Sequence, residues 1–170
     1  MNETTFWDMI EQAWEAVAPK LKPRRFKIAV QKGFKEPNEL GMELSDVVSS
    51  DLVEHLTEKL RAISKEDLLA FDRILEQKMY DIDREDIHAY TDGSDDGFLY
   101  VRGFIVALGK EYYELIKGEP ERAMADLEGE SFCYFPLHLY TSLYGDAPIS
   151  NISRETASNK ANWADDTSDI

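Results

Sequence analysis

Between Gly97 and Gly109 the chain reads Phe-Leu-Tyr-Val-Arg-Gly-Phe-Ile-Val-Ala-Leu, with Arg102 as its single charge. A helix over these residues is apolar on most of its circumference, which places it in the interior with other helices packed around it. Ser94 is positioned to cap its start, and Asp95 and Asp96 fall in the first turn, where the positive end of the helix dipole favours acids. Gly109 marks its end.

The flanking sequence supplies the surrounding helices. Phe6, Ile10, Ala13, Trp14 and Val17 fall at helical spacing after a cap at Thr4 or Thr5, and Pro19 closes that segment. Leu52, Leu56, Leu60 and Ile63 predict a helix beginning after Ser49 or Ser50. Ser64 and Asp67 form a capping pair ahead of Leu68, Phe71, Leu75 and Met79. A short turn is expected over 84–90 and a helix over 110–117. Pro136 fits the first turn of a helix better than its interior, so the last helix is placed at 136–144. Residues 19–49, broken by Pro19, Pro23, Gly33, Pro37 and Gly41, do not read as helix; Phe26, Ile28 and Val30 alternate as in one short strand. The expectation is an all-α single domain of six to eight helices over residues 1–145. It carries an irregular basic insertion at about 19–49 and is followed by a polar C-terminal tail at 146–170, in which Trp163 is out of place.

Composition bounds the function. The net charge is −15, which disfavours nucleic acid and anionic membranes and favours a basic partner. The segment Lys20–Lys35 runs the other way, with seven bases and no acid. It either folds across the acidic body or projects towards an anionic partner. A single cysteine, Cys133, forms no disulfide within the chain, and the opening residues lack the basic and apolar regions of a signal peptide. No apolar run reaches membrane-spanning length. Together these predict a cytoplasmic protein.

Three stretches carry a resemblance. They are Thr5-Phe6-Trp7 through Ile10; the leucine-spaced run into Leu68-Leu69-Ala70-Phe71; and Ser94-Asp95-Asp96-Gly97-Phe98 followed by Arg102-Gly103-Phe104-Ile105 and Gly109-Lys110. With Gly118-Glu119-Pro120-Glu121 they resemble the bacterial domain of unknown function 4240 family. The chain departs from that pattern at Val101, where members carry an aromatic, at Phe104, where they carry tryptophan, and at Asp92-Gly93, often Gly-Cys. The resemblance implies a helical domain and brings no catalytic residues.

Read from Asp92, the pattern Asp-x-Ser-x-Asp-Gly matches the opening of a calcium-binding loop, but the twelfth position, which should be a bidentate Glu, is Gly103. Helix capping is the better account of Ser94, Asp95 and Asp96. Arg102 needs a buried partner, or else it serves an anion or a reaction. His55, His88 and His138 show no metal-binding spacing, and Cys133 sits among aromatics as a buried apolar residue would. These readings leave a candidate polar cluster of Asp92, Ser94, Asp95, Asp96 and Arg102, with candidate partner contacts at Tyr112, Tyr113 and Trp163. No catalytic residue, metal or cofactor is assigned, and the reading leans away from an enzyme. The leading expectation is a module that binds a basic protein, in the manner of an immunity protein or antitoxin. An enzyme or small-ligand protein using the Asp92–Asp96 turn and Arg102 is one rival, and a self-associating structural subunit is the other.

Overall fold

A computed structural model describes residues 1–91 and 93–164. Its elements are α1 (Glu3–Val17), α2 (Glu39–Val47), α3 (Val53–Arg61), α4 (Lys65–Asp81), α5 (Glu85–His88), α6 (Asp95–Ala107), α7 (Lys110–Gly118) and α8 (Glu130–Tyr144), with no strand among the described residues. The all-α expectation holds, and it holds because the apolar spacing is helical throughout. On α1 the buried residues are Phe6, Trp7, Ile10, Ala13 and Trp14; on α4 they include Leu68, Phe71, Leu75 and Met79. Ser64 caps α4 by accepting from the Asp67 amide, and Ser94 caps α6 by accepting from that of Gly97. At α1 the cap is Asn2, not a threonine: its side chain accepts from the Thr5 amide at 2.9 Å, so the helix starts before both threonines.

Helix α6 is central. Nine of its residues, from Phe98 to Ala107, are buried, and it packs against α4, α7 and α8. Its approach to α8 is close because two glycines face each other there. A methyl group on Gly103 would lie 2.5 Å from Cys133 Sγ and 2.9 Å from the Gly129 carbonyl oxygen; one on Gly129 would meet the Phe104 backbone nitrogen at 2.5 Å. The glycine in the Arg-Gly-Phe sequence is thus a packing residue that lets α6 rest on the start of α8.

Three expectations are corrected. The strand proposed for Phe26, Ile28 and Val30 is a 3₁₀ helix, Lys22–Ala29. Burial there follows Arg25, Ile28 and Ala29, a helical spacing, while Val30 is 69% exposed, and among the described residues there is no neighbouring strand to pair with. Within the same segment, 19–49, the chain also forms α2, capped by Asn38, and continues through one π-helical turn (Val48–Leu52) directly into α3. Ser50, read as a cap, instead donates its hydroxyl back to the Asp46 carbonyl at 2.7 Å inside that continuous helix. Lastly, α8 begins at Glu130, six residues before Pro136. The proline removes one amide donor from the helix interior, but Phe132, Cys133, Phe135, Leu139 and Tyr140 are all buried, and α8 has extensive contact with α4 and α6. Packing outweighs the lost bond.

Gly103→Ala is expected to destabilise the domain by about 1–3 kcal/mol through overpacking at the α6–α8 contact. Gly118→Ala, where a methyl group meets nothing within 4 Å, is expected to be neutral or slightly stabilising. Urea melts of the two variants check this; equal midpoints would show that α6 and α8 are not held at that distance.

Candidate functional site

The basic segment lies on the acidic body. Lys22 approaches Glu15 at 3.3 Å, Arg24 approaches Glu43 at 3.8 Å, and Lys32 bridges Glu119 and Glu121 at 2.6 and 2.8 Å. Lys35 donates to the carbonyls of Gln31 and Arg122. Arg25 goes furthest in. It is buried, pairs with Glu11 at 2.8 Å, and donates to the Leu108 carbonyl at 2.7 Å, where a cation complements the C-terminal end of α6. Its guanidinium lies 5.2 Å from the Trp14 ring. Gly109 makes room for this pair, with φ +94° and the Glu11 carboxylate against its α-carbon.

A second set of charges is enclosed between α4, α6 and α8 and the stretch that follows α8. Asp72 and Asp83 are fully buried, Glu76 nearly so, and Arg102 has no exposed surface. Arg102 donates to the Met79 carbonyl at 3.1 Å, to the Arg154 carbonyl at 2.7 Å and to Thr156 Oγ1 at 3.3 Å; Asp83 lies 4.0 Å away, and the Phe98 ring sits beneath the guanidinium. Burial pushes the Arg102 guanidinium below its ordinary value, and the charge of Asp83 opposes that. Asp83 in turn accepts from the Ala157 and Asn159 amides and from the Ser158 hydroxyl, and the Trp163 indole donates to both its carbonyl and its carboxylate. Arg154 pairs with Asp72 at 2.7 Å, lies 3.8 Å from Glu76, donates to the Cys133 carbonyl and stacks over Tyr134 at 5.1 Å. Residues 154–163, read from sequence as part of a polar tail, therefore rest on the body through buried and half-buried polar contacts.

The candidates from sequence divide accordingly. Arg102, the Asp95 main chain and Trp163 come together: the Thr156 hydroxyl donates to the Asp95 carbonyl at 2.6 Å while accepting from Arg102, and Trp163 packs near Phe98 and His88. Ser94 caps α6, and the Asp95 and Asp96 side chains are exposed in its first turn. From Asp95 to Gly103 the chain is helix, so the calcium-loop geometry is not formed there. Asp92 lies outside the described residues. Tyr112 and Tyr113 are corrected: both are buried, Tyr113 donating to the Lys78 carbonyl at 3.3 Å beside the Trp7 ring, and burial raises both hydroxyls well above the tyrosine range. They are core residues because α7 turns that face inward onto the body. Cys133 is also enclosed, its thiol pushed up to about 12 by burial, which removes it as a nucleophile.

Sequence reading missed Asp72, Glu76, Asp83, Arg154 and Arg25. A signal existed for the first two: Asp72 and Glu76 sit one helical turn apart in register with Leu68, Leu75 and Met79, on a stripe that should bury. Arg154 and Lys160 are the only bases after Arg122, a weaker sign. What the arrangement does chemically is hold guanidinium groups against carboxylates and carbonyls, out of water. On the open surface, a groove of 560 Å³ runs between α3 and α8, lined by Val53, Thr57, Arg61, Ser131, Tyr134 and His138 among others.

Asp83→Ala leaves Arg102 without its nearby charge and unhooks the 157–163 stretch. The expected loss is about 3–5 kcal/mol, measured by urea unfolding, with Trp163 becoming more solvent-accessible to fluorescence quenching. A loss under about 1 kcal/mol would show that Asp83 is not an anchor. At the surface, the Lys32 ammonium holds the Glu119 and Glu121 carboxyls below the ordinary glutamate range, Arg122 adding to the effect at Glu119. A depressed carboxylate favours the folded state above its ordinary range, and that contribution fades as pH falls through the depressed values. In Lys32→Met both glutamates are expected to titrate closer to the ordinary range by NMR; unchanged titration would show the bridge is not populated.

A family model described as a protein of unknown function, DUF4240, matches residues 42–142, which is more than half of the chain. That span contains Asp72, Glu76, Asp83 and Arg102, whereas Arg25, Arg154 and Trp163 lie outside it. No curated protein and no solved structure matches the chain significantly. The helical body that encloses Arg102, from the middle of α2 to the end of α8, is thus the part the family describes, and the chain belongs to the DUF4240 family.

Proposed function

We propose that the protein acts by binding another protein that is basic, through an acidic ridge on the continuous helix α2–α3. The observation that carries this is where the charges are used up. Five of the seven bases in Lys20–Lys35 are engaged with the protein's own carboxylates and carbonyls. Asp46, Asp51, Glu54 and Glu58, exposed along the helix, form no ion pair among the described residues. Asp51, Glu54 and Glu58 follow helical spacing and border a shallow depression of 340 Å³ with Val17 and His55. An acidic surface of this kind accelerates encounter with a basic one and discriminates against acidic competitors.

The apolar anchors such an interface needs are also at hand, and they are not the tyrosines expected from sequence. Val30 and Phe34, on the segment that leads into the ridge helix, are 69% and 59% exposed, and Met42, in its first half, is 53% exposed. Large apolar side chains beside a charged rim are the usual composition of a protein-binding patch. An immunity or antitoxin-like role is one concrete form of this reading. The rival, a ligand or catalytic site at Arg102, is disfavoured because Arg102 is enclosed by the chain's own residues. Among the described residues no helix is long and apolar enough to cross a membrane.

The double variant Glu54→Lys, Glu58→Lys is expected to fold with stability within about 0.5 kcal/mol of the parent, because both sites are exposed and away from any buried contact. Its association with a partner recovered by affinity capture should slow by about tenfold at low salt, and that difference should shrink as salt screens the ridge. Association rates that respond neither to these substitutions nor to salt would rule out the ridge. A toxin gene beside this one would give the immunity form its partner.

A further inference from the structure

The stretch after α8 is attached to the body as a bound peptide is. Gly145, with φ +81°, closes α8, and the next residues form a linker in which Asp146, Pro148, Ile149 and Asn151 are exposed, Ile149 at 97%. From Arg154 to Ala164 the chain docks with no α-helix of its own. It uses Arg154 on Asp72, Thr156 on Arg102 and the Asp95 carbonyl, and Asn159 on Asp83 and the Tyr80 carbonyl. Every one of those receiving groups lies within residues 42–142, the span that the family shares, and the arm itself lies outside it.

The deepest of these contacts is built for one kind of side chain. The Arg154 guanidinium uses its separate nitrogens in separate directions: Nη2 to Asp72 Oδ1 at 2.7 Å, Nη1 to the Cys133 carbonyl, and Nε towards Glu76 at 3.8 Å. Its flat face covers the Tyr134 ring at 5.1 Å, and Tyr134 also holds Glu155 through its hydroxyl at 3.0 Å. A planar fork with an aromatic floor selects arginine over lysine. Without an occupant, Asp72 and Glu76 would be two buried carboxylates sharing, among the described residues, only Arg73, which approaches them at 3.4 and 3.3 Å from a half-buried position. A slot so charged demands a cation.

We propose that Asp72, Glu76, the Cys133 carbonyl and the Tyr134 ring form an arginine-recognition slot, that Arg154 fills it in cis, and that an arginine in an extended segment of the basic partner displaces Arg154 to bind there. This deepens the partner reading above and rests on it for the identity of the occupant. The arm then sets the affinity a partner must exceed, because a tethered competitor acts at an effective concentration on the order of millimolar.

The test uses the full chain and a synthetic peptide of residues 150–163. Arg154→Ala is expected to bind the peptide at least tenfold more tightly than the parent chain, since the cis competitor is removed. A peptide with lysine in place of Arg154 should bind at least tenfold more weakly, and Asp72→Asn in the Arg154→Ala background should abolish binding. If Arg154→Ala does not fold, Arg154→Lys, which keeps the charge and loses the fork, takes its place. The ridge variant Glu54→Lys, Glu58→Lys should leave peptide affinity unchanged, so the slot and the ridge fail separately. Absence of binding, or binding indifferent to the arginine, would overturn the proposal. So would hydrogen exchange of the parent chain in which the Ala157 and Asn159 amides are as protected as those of α6; an arm that can be displaced must open at least a hundredfold more often. A parent dimer that Arg154→Ala dissolves would assign the slot to a second copy and overturn the partner's claim to it.

Discussion

An arginine in the middle of an apolar helix is the constraint from which the rest of this structure follows. Arg102 cannot reach water from α6, so the fold brings acceptors to it. The end of α4 supplies the Met79 carbonyl, the residue after Ile82 supplies the Asp83 carboxylate, and the C-terminal arm supplies the Arg154 carbonyl and Thr156. Asp83, drawn inside for that purpose, then has acceptor capacity left over, and the arm's amides and the Trp163 indole consume it. One buried charge thus links the end of α4, the Asp83 turn and the arm that lies across them.

The other end of α6 is handled in the same currency by a different residue. Arg25 caps the Leu108 carbonyl and neutralises Glu11, joining α1, the 3₁₀ helix and α6 at Gly109. The two arginines share a logic: each comes from, or is satisfied by, chain outside the family-matched span, and each ties that chain to the central helix. The chain outside the matched span is not decoration on its surface, because its main-chain and side-chain groups make buried hydrogen bonds with the body.

The sequence was most legible where periodicity and capping agree. Ser64 and Ser94 announced α4 and α6, and the all-round apolar character of 98–108 placed α6 at the centre, because a helix with no polar face has nowhere else to go. It was least legible where tertiary contacts override local chemistry. Pro136 argued for a helix start and lies mid-helix, since Phe132 and Cys133 gain more from burial than one amide bond costs. The polar arm gave no periodic signal, for its attachment is made by side chains reaching single distant acceptors, a pattern with no spacing to detect. Arg102 was identified as needing a buried partner but its carboxylate was not: the charge beside it is Asp83, in the turn between α4 and α5, a position that no local spacing marks. Tyr112 and Tyr113 looked like interface residues by type, and only their position on the inward face of α7 reveals them as core.

The π-helical turn at Val48–Leu52 has a geometric consequence for the long helix that contains it. Leu44, Val48, Leu52, Leu56 and Leu60 are all buried, and they recur every fourth residue. A uniform α-helix advances about 100° per residue, so each such step overshoots a full turn by about 40°. Over the whole run the apolar line would wind nearly half-way round the helix and carry its last leucine towards solvent. The wider turn in the middle absorbs part of that excess. The helix therefore works as a phase corrector: it lets a sequence written in fours keep a straight seam against neighbours written in the ordinary helical period. The residues of that turn are where the chain's spacing and the core's spacing are reconciled.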